Sequence, residues 1–253
     1  MCLLALAWRA LPEAPLVLAA NRDEFHGRPS APAELWPEAP EVLAGRDLEA
    51  GGTWLGVTPA GRLAAVTNYR GPAHRRDQVR SRGRLVADYL IGVESPRAYA
   101  ERIAAEGDAY NGFNLLVSDG AELVWISNVA RRVEAVTPGA HGLSNAFLDT
   151  PWPKVERTRT RLERLLELGV ATDPEELLSM LADRERAGDA ELPDTGIGVA
   201  WERLLSSPFI VSPLYGTRCS TAVVVQRDGR TLFVERSFDP AGVMAVTRRF
   251  TVG

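Results

Sequence analysis

Residues 2–25 read CLLALAWRALPEAPLVLAANRDEF, and this stretch decides the fold. The apolar runs at residues 3–8 and 16–20 have the length of buried strands, and turn-forming residues separate them at 12–15. The pattern therefore predicts a β-hairpin. In a hairpin the end of the second strand returns to the start of the first. We therefore expect Cys2 to lie close to the polar residues 21–24.

The rest of the chain continues with paired strands and paired helices. Strand pairs are predicted at 53–57 with 62–68, at 113–117 with 123–127, and on both sides of Asp228-Gly229, followed by a last strand at 243–252. Helices are predicted around 85–90, after Ser95-Pro96, from an N-cap at Thr150 to Gly169, and after Asp173-Pro174. The Pro-rich residues 27–40 are expected to be an irregular surface segment. This order favours two antiparallel sheets, or one large sheet, covered by helices, in one α+β domain spanning residues 1–253.

The composition is that of an ordinary globular protein. Of its 253 residues, 45% are apolar and 25% are charged, and the net charge of −4 gives no general attraction to nucleic acid. No apolar run approaches the roughly 20 residues that a bilayer requires, and the start of the chain lacks a secretory signal pattern. We therefore expect a cytoplasmic protein without nucleic-acid partners or stable membrane insertion. The sequence does not indicate its oligomeric state.

The cysteines and histidines give no sign of a disulfide framework or a metal centre. Cys2 and Cys219 are expected to be free thiols, because a disulfide-stabilised domain of this size usually has more cysteines. The histidines at positions 26, 74 and 141 do not form a metal-binding pattern, so we expect neither a metal nor a required cofactor.

Cys2 is the strongest candidate for chemistry. Because cysteine is small, removal of Met1 is expected, and it would leave the thiol beside a free α-amine. An α-amine with a pKa of about 7.7–8.0 accepts a proton near neutral pH, so one residue supplies both nucleophile and base. The alternative is that Cys2 is a small buried residue at the start of a strand.

Other polar residues at predicted strand ends join Cys2 as candidates. Asp23 is suited to hold the α-ammonium or orient the thiol. Asn68 and Asn145 are suited to donate hydrogen bonds to an oxyanion, and Arg218 to stabilise a thiolate or bind a substrate carboxylate. Each residue, taken alone, also fits an ordinary structural role at a strand end or turn.

Three motifs carry a resemblance to a known family. They are NRDE at 21–24, GGTWLGVTPAGRLAAVTNYRGP at 51–72 and GLSNAFLDTPWPKV at 142–155, with a weaker continuation in YGTRCSTAVVV at 215–225. Together they resemble the NRDE family, also called the transport and Golgi organisation protein 2 family. That family is similar to the N-terminal nucleophile hydrolases of the penicillin V acylase and bile salt hydrolase group. The resemblance implies a four-layer αββα sandwich with two antiparallel sheets packed face to face.

The resemblance also implies roles for individual residues. The hydrolase pattern places the nucleophile, the carboxylate, two asparagines and a late arginine at Cys2, Asp23, Asn68, Asn145 and Arg218. The hydrolases carry a further arginine about three residues before the aspartate, where this chain has Ala20, whereas Arg22 directly adjoins Asp23. Adjacent residues of a strand face opposite ways, so Arg22 is not expected to replace that arginine simply.

Three functions are compatible with these observations. The first is a cysteine amidase that cleaves linear, non-peptide C–N bonds of acyl amides. The second follows from the family's links to haem trafficking and lipid metabolism, and is the binding or trafficking of haem or acyl-CoA without cleavage. The third is a non-catalytic scaffold.

The ligand-binding candidates are polar residues in or next to the motifs, namely Asn21, Arg22, Tyr69, Arg70 and His74. The arginine-rich residues 70–84 are suited to meet propionates or phosphates. The alternative is that this segment is the solvated start of a helix.

Overall fold

The start of the chain forms the predicted hairpin. The computed structural model describes residues 2–71 and 79–253, in which β1 (Cys2–Trp8) pairs antiparallel with β2 (Leu16–Phe25). The register sets Cys2 opposite Arg22 and Leu4 opposite Ala20. Directly opposite residues of antiparallel strands project from the same face, so these four side chains share one face of the hairpin. Asp23 projects from the other face.

Two antiparallel sheets carry the strands of the described residues. Sheet A has six strands in the order β10 (Gly139–Leu143), β1, β2, β11 (Tyr215–Val225), β12 (Thr231–Phe238) and β13 (Met244–Val252). Sheet B has seven in the order β3 (Ser30–Trp36), β4 (Ala39–Asp47), β5 (Leu55–Val57), β6 (Leu63–Asn68), β7 (Phe113–Ser118), β8 (Leu123–Ser127) and β9 (Arg132–Ala135). The predicted strand pairs β5 with β6, β7 with β8 and β11 with β12 are therefore confirmed.

The two sheets pack face to face, and helices cover their outer faces. Leu6 and Leu18 of sheet A share one buried cluster with Leu43 and Leu116 of sheet B. Sheet B packs outward against α1 (Arg82–Ile91) and α2 (Pro96–Ala105), and sheet A against α3 (Pro153–Glu167) and α4 (Pro174–Leu181). The short helix α5 (Val199–Leu204) precedes β11 and contributes to a small separate cluster. The predicted αββα sandwich is confirmed.

One predicted loop is a pair of strands. The expectation that residues 27–40 are irregular is wrong, because they contain β3 and the beginning of β4. Ala33 and Trp36 are buried, while Pro32 lies in the edge strand of sheet B, where the missing N–H of a proline is tolerated. A high proline content is therefore compatible with regular structure at the edge of this sheet.

The start of α3 also differs from the prediction. The helix begins at Pro153 with Trp152 as its N-cap, so Thr150 is not the N-cap. The hydroxyl of Thr150 instead accepts a hydrogen bond of 3.1 Å from the Phe147 main-chain N–H and so closes the preceding turn.

In the described part of the chain, no helix combines the length and the apolar character needed to span a membrane.

The loop between β4 and β5 packs tightly on the first turn of α1. Gly52 has a φ of 78°, and a Cβ atom at this position would lie 2.4 Å from the carbonyl carbon of Gly83. The main-chain N–H of Thr53 donates to the Gly83 carbonyl at 3.1 Å, which holds the loop against the helix. Gly51 has a similar φ of 69°, but a Cβ atom there would meet nothing within 4 Å. A side chain at position 51 would therefore bear only the cost of a positive φ. A side chain at position 52 would bear that cost and a steric clash as well.

We predict that Gly52→Ala destabilises the fold more than Gly51→Ala does. The Gly51→Ala variant bears only the strain of a positive φ, about 1 kcal/mol, whereas Gly52→Ala must also displace main-chain atoms, at a further cost of about 2 kcal/mol. Urea denaturation of both variants and the wild type measures the difference in the free energy of unfolding. Equal losses for the two variants would show that the loop does not need this close approach.

Candidate active site

A cleft opens at the end of the sandwich where the β1–β2 hairpin carries Cys2. Its volume is about 250 Å³, and Cys2, Arg22, Trp54 and Asn68 contribute to its wall. The charged side chains that line it are Arg22, Glu24, Arg28, Asp47, Arg80 and Arg82. Cys2 therefore contributes to the wall of a polar cavity and also packs at the edge of the apolar core between the sheets.

Arg22 stands directly across the hairpin from Cys2 and is held firmly. Its guanidinium carbon lies 4.2 Å from the centre of the Trp54 ring, and its Nη2 atom lies 4.0 Å from a carboxylate oxygen of Asp47. Positions 20 and 22 lie on the same face of β2, so an arginine moved by two residues still reaches the cleft. Arg22 thus faces away from Asp23, as the strand pattern predicted, but shares the face of the thiol.

Asp23 lies on the reverse face of the same strand, toward the helices. Its carboxylate is fully buried and accepts a hydrogen bond of 2.7 Å from the Thr217 hydroxyl, while its main-chain carbonyl accepts one of 2.9 Å from the Tyr215 hydroxyl. Burial raises the pKa of the Asp23 carboxyl, and the nearby ammonium of Lys154 acts in the opposite direction. The Asp23 carboxylate therefore lies on the opposite face of the hairpin from the Cys2 side chain.

The two candidate asparagines are joined to each other. Asn68 lines the cleft, whereas Asn145 is fully buried behind it. The side-chain amide of Asn145 donates to the Asn68 carbonyl at 2.8 Å, and the Asn145 carbonyl accepts from the Arg70 N–H at 2.7 Å. Asn68 therefore lies in the cleft wall, and the hydrogen bonds of Asn145 hold the main chain at residues 68 and 70 in place.

Arg218 lies at a β-bulge beside the cleft. Strand β11 shifts register against β2 between Thr217, opposite Asp23, and Cys219, opposite Arg22. The extra residue is Arg218, whose Nη1 atom donates to the carbonyls of Phe25 and Arg28 at 2.9 and 3.1 Å. Its side chain lines a neighbouring pocket together with Arg22, so it closes the turn after β2 and is not brought to the Cys2 cleft.

The two thiols are free, as predicted. Cys2 and Cys219 each pair with Arg22, from opposite sides of β2, so two inter-strand spacings of about 4.8 Å separate their main chains. That separation exceeds the reach of a disulfide. Burial raises the pKa of both thiols.

Of the ligand-binding candidates, Arg22 is the one that the structure places in the cleft wall. The Asn21 amide donates to the carbonyls of Leu181 and Pro208, and Tyr69 stacks on Phe147. His74 lies outside the described residues.

Arg70 is likewise buried away from the cleft. It forms an ion pair of 3.1 Å with Glu202, and its guanidinium carbon lies 4.4 Å from the centre of a Trp152 ring. This pair connects the end of β6 with α5. Arg70 therefore pairs with Glu202 and does not line the cleft.

Lys154, which lies behind the site, was not predicted from the sequence. It occupies the first turn of α3 and is 2% exposed. One feature of the sequence could have drawn attention to this residue: it is the only lysine among the 29 Lys and Arg residues of the chain. Glu202, Thr217 and Tyr215 were also missed, because only the fold brings their distant segments to Arg70 and Asp23.

The fold and motifs have counterparts among known proteins. A solved penicillin V acylase from Agrobacterium tumefaciens superposes with a TM-score of 0.50 at 12% identity, covering 93% of this chain and 83% of that chain. A mutant of the conjugated bile acid hydrolase from Clostridium perfringens superposes with a TM-score of 0.52 at 9% identity, covering 99% and 92%. At these identities the likeness shows the fold alone.

Sequence relatives are much closer. The bovine Transport and Golgi organization protein 2 homolog is 39% identical over 254 residues, covering 93% of this chain and 92% of that protein. The human homolog is also 39% identical, with coverage of 88% and 86%, and the Drosophila melanogaster protein is 30% identical, with coverage of 90% and 88%. The family model described as Transport and Golgi organisation 2 matches residues 1–240. The chain therefore belongs to the Transport and Golgi organisation 2 family.

Proposed function

We propose that this protein is an N-terminal cysteine hydrolase that cleaves linear, non-peptide C–N bonds of acyl amides. The observation that carries the proposal is the arrangement of the first hairpin, with Cys2 and Arg22 side by side in the cleft and Asp23 behind them. Removal of Met1 would place an α-amine on Cys2. Asp23 would then hold that amine in position from the helix side.

The reaction begins with proton transfer from the Cys2 thiol to its own α-amine. Burial, and after it the negative charge of Asp23, raise the pKa of this thiol, whereas the positive charge of Arg22 favours the thiolate. The thiolate attacks the carbonyl carbon of the amide, and the side chain of Asn68 donates to the developing oxyanion. The protonated amine then gives its proton to the leaving nitrogen, and water hydrolyses the thioester to release the acid.

The names of the structural neighbours agree with this type of reaction. One is an acylase and the other a conjugated bile acid hydrolase. Because their identity to this chain is low, they support the class of reaction and do not identify the acyl group or the amine.

We predict that Cys2→Ala abolishes amide hydrolysis, with a loss of at least about 1,000-fold in kcat/KM, because the variant lacks the nucleophile. The assay is hydrolysis of a panel of N-acyl amides by protein whose loss of Met1 has been verified by intact mass. Cys219→Ala is the matched control and is expected to retain activity. Equal activity of Cys2→Ala and the wild type, or no cleavage by correctly processed wild type, contradicts the proposal.

A second candidate function is binding of haem or acyl-CoA without cleavage. Four arginines and two carboxylates line the cleft, which favours ligands with carboxylate or phosphate groups. Haem carries carboxylates and acyl-CoA carries phosphates, so both have the chemistry that these arginines recognise.

We predict that acyl-CoA or haem binds saturably and that Arg80→Gln weakens binding by about 5- to 10-fold, through loss of one charged contact. Arg230→Gln is the matched control, because Arg230 pairs with Asp228 at the remote β11–β12 turn. Fluorescence titration of palmitoyl-CoA and absorbance titration of haem measure the affinities. Non-saturable binding, or equal weakening by both substitutions, rules this function out.

A further inference from the structure

We propose that Lys154 is a positioning residue of the Cys2 site, whose buried ammonium keeps Asp23 in its carboxylate form. The role in catalysis rests on the function proposed above, but the Lys154–Asp23 pair itself does not. Three independent features of the molecule lead to this residue.

The first feature is the residue type. The chain has 29 basic Lys and Arg residues, and Lys154 is the only lysine among them. Arginine stays protonated at every accessible pH, whereas the pKa of a lysine moves readily when the amine is buried. The only lysine of the chain therefore lies near enough to Cys2 and Asp23 for their charges to act on its amine.

The second feature is burial without a hydrogen-bond partner. Lys154 is 2% exposed, and within residues 2–71 and 79–253 its Nζ atom has no hydrogen-bond acceptor. A buried ammonium group in this state is costly unless an opposite charge lies near it. The surroundings must therefore supply a compensating carboxylate.

The third feature is the charge around the amine. Among the described residues, the charged or titratable groups that act on the Lys154 amine come from β1, β2, the end of β6 and α5: Cys2, Asp23, Arg70 and Glu202. Arg70 and Glu202 neutralise each other in their ion pair of 3.1 Å. Asp23 therefore supplies the largest favourable charge effect on Lys154.

The pKa shifts agree with a mutual interaction. Burial raises the pKa of the Asp23 carboxyl, and Lys154 exerts the largest charge effect against that rise. Burial lowers the pKa of Lys154 to about 8, and Asp23 exerts the largest charge effect in the opposite direction. Each group therefore keeps the other in its charged form. Without Lys154, Asp23 would take up a proton at higher pH and would lose its hold on the α-ammonium of Cys2.

The decisive experiment uses the single lysine as a spectroscopic probe. Labelling with lysine that carries ¹³C at Cε gives one lysine signal in the full-length protein, and an NMR pH titration gives its pKa directly. The wild type is expected to titrate near 8, well below an ordinary lysine. Asp23→Asn is expected to lower this pKa by at least about one unit, because the counter-charge is gone.

Glu163→Gln is the matched control, because Glu163 is an acidic residue on the same helix with a side chain that is 47% exposed. It is expected to leave the Lys154 titration unchanged. An ordinary lysine pKa in the wild type overturns the proposal, and so does a shift in Asp23→Asn no larger than that in Glu163→Gln. This test needs no turnover, so its outcome stands even if the proposed amidase activity fails.

The catalytic part of the proposal is tested with Lys154→Met, which keeps the length of the side chain and removes the charge. The acid limb of the pH profile of kcat/KM is expected to move upward by at least about one unit, because Asp23 now protonates at higher pH. Thermal unfolding checks that the variant is folded. If Lys154→Met is unfolded, Asp23→Asn takes its place in the test. The acid limb of Asp23→Asn is expected to disappear, because a neutral amide replaces the carboxyl. An unchanged acid limb in the folded Lys154→Met variant, or in Asp23→Asn, removes Lys154 from the mechanism.

Discussion

The arrangement of the site depends on the register between β1 and β2. Side chains alternate between the two faces of a strand, so a slip of one residue would carry Arg22 to the helix side and Asp23 into the cleft. The apolar residues of the hairpin prevent this slip. Leu4 and Leu6 belong to the core between the sheets, whereas Ala5 and Ala7 pack under α3 and α4. A slip of one residue would exchange these leucines and alanines between the two layers, so the packing of both layers opposes it.

This register divides the charges of the site between two compartments. On the cleft side, Arg22 is positioned by Trp54 and Asp47 and remains next to the thiol. On the helix side, Asp23 lies in the buried layer that also contains Lys154 and the Arg70–Glu202 pair. The main chain of residue 2 separates the two compartments. In the proposed reaction, a substrate in the cleft would meet Cys2 and Arg22, while Asp23 and Lys154 stay buried on the helix side.

The sequence was sufficient where local pattern controls the structure. The first hairpin and the strand pairs β5–β6, β7–β8 and β11–β12 follow from apolar runs and turn residues that are close together in the chain. The sequence was insufficient where residues that are far apart in the chain determine the local structure. The strand Gly139–Leu143 contains few strand-forming side chains and is stabilised by pairing with β1. The bulge at Arg218 depends on the match between β11 and β2, and neither strand reveals it alone.

The same distinction explains which site residues were missed. Asp23 and Asn68 stand at strand ends within recognisable motifs, and Cys2 stands at the start of the first strand, so their residue types were informative. Lys154 stands inside one of these motifs, but its burial follows from the packing of α3 against sheet A and not from its neighbours in sequence. Arginine would suit an exposed helix start equally well, as the rest of this arginine-rich chain shows. A lysine differs from an arginine at this position because burial lowers its pKa to about 8, whereas an arginine would stay protonated.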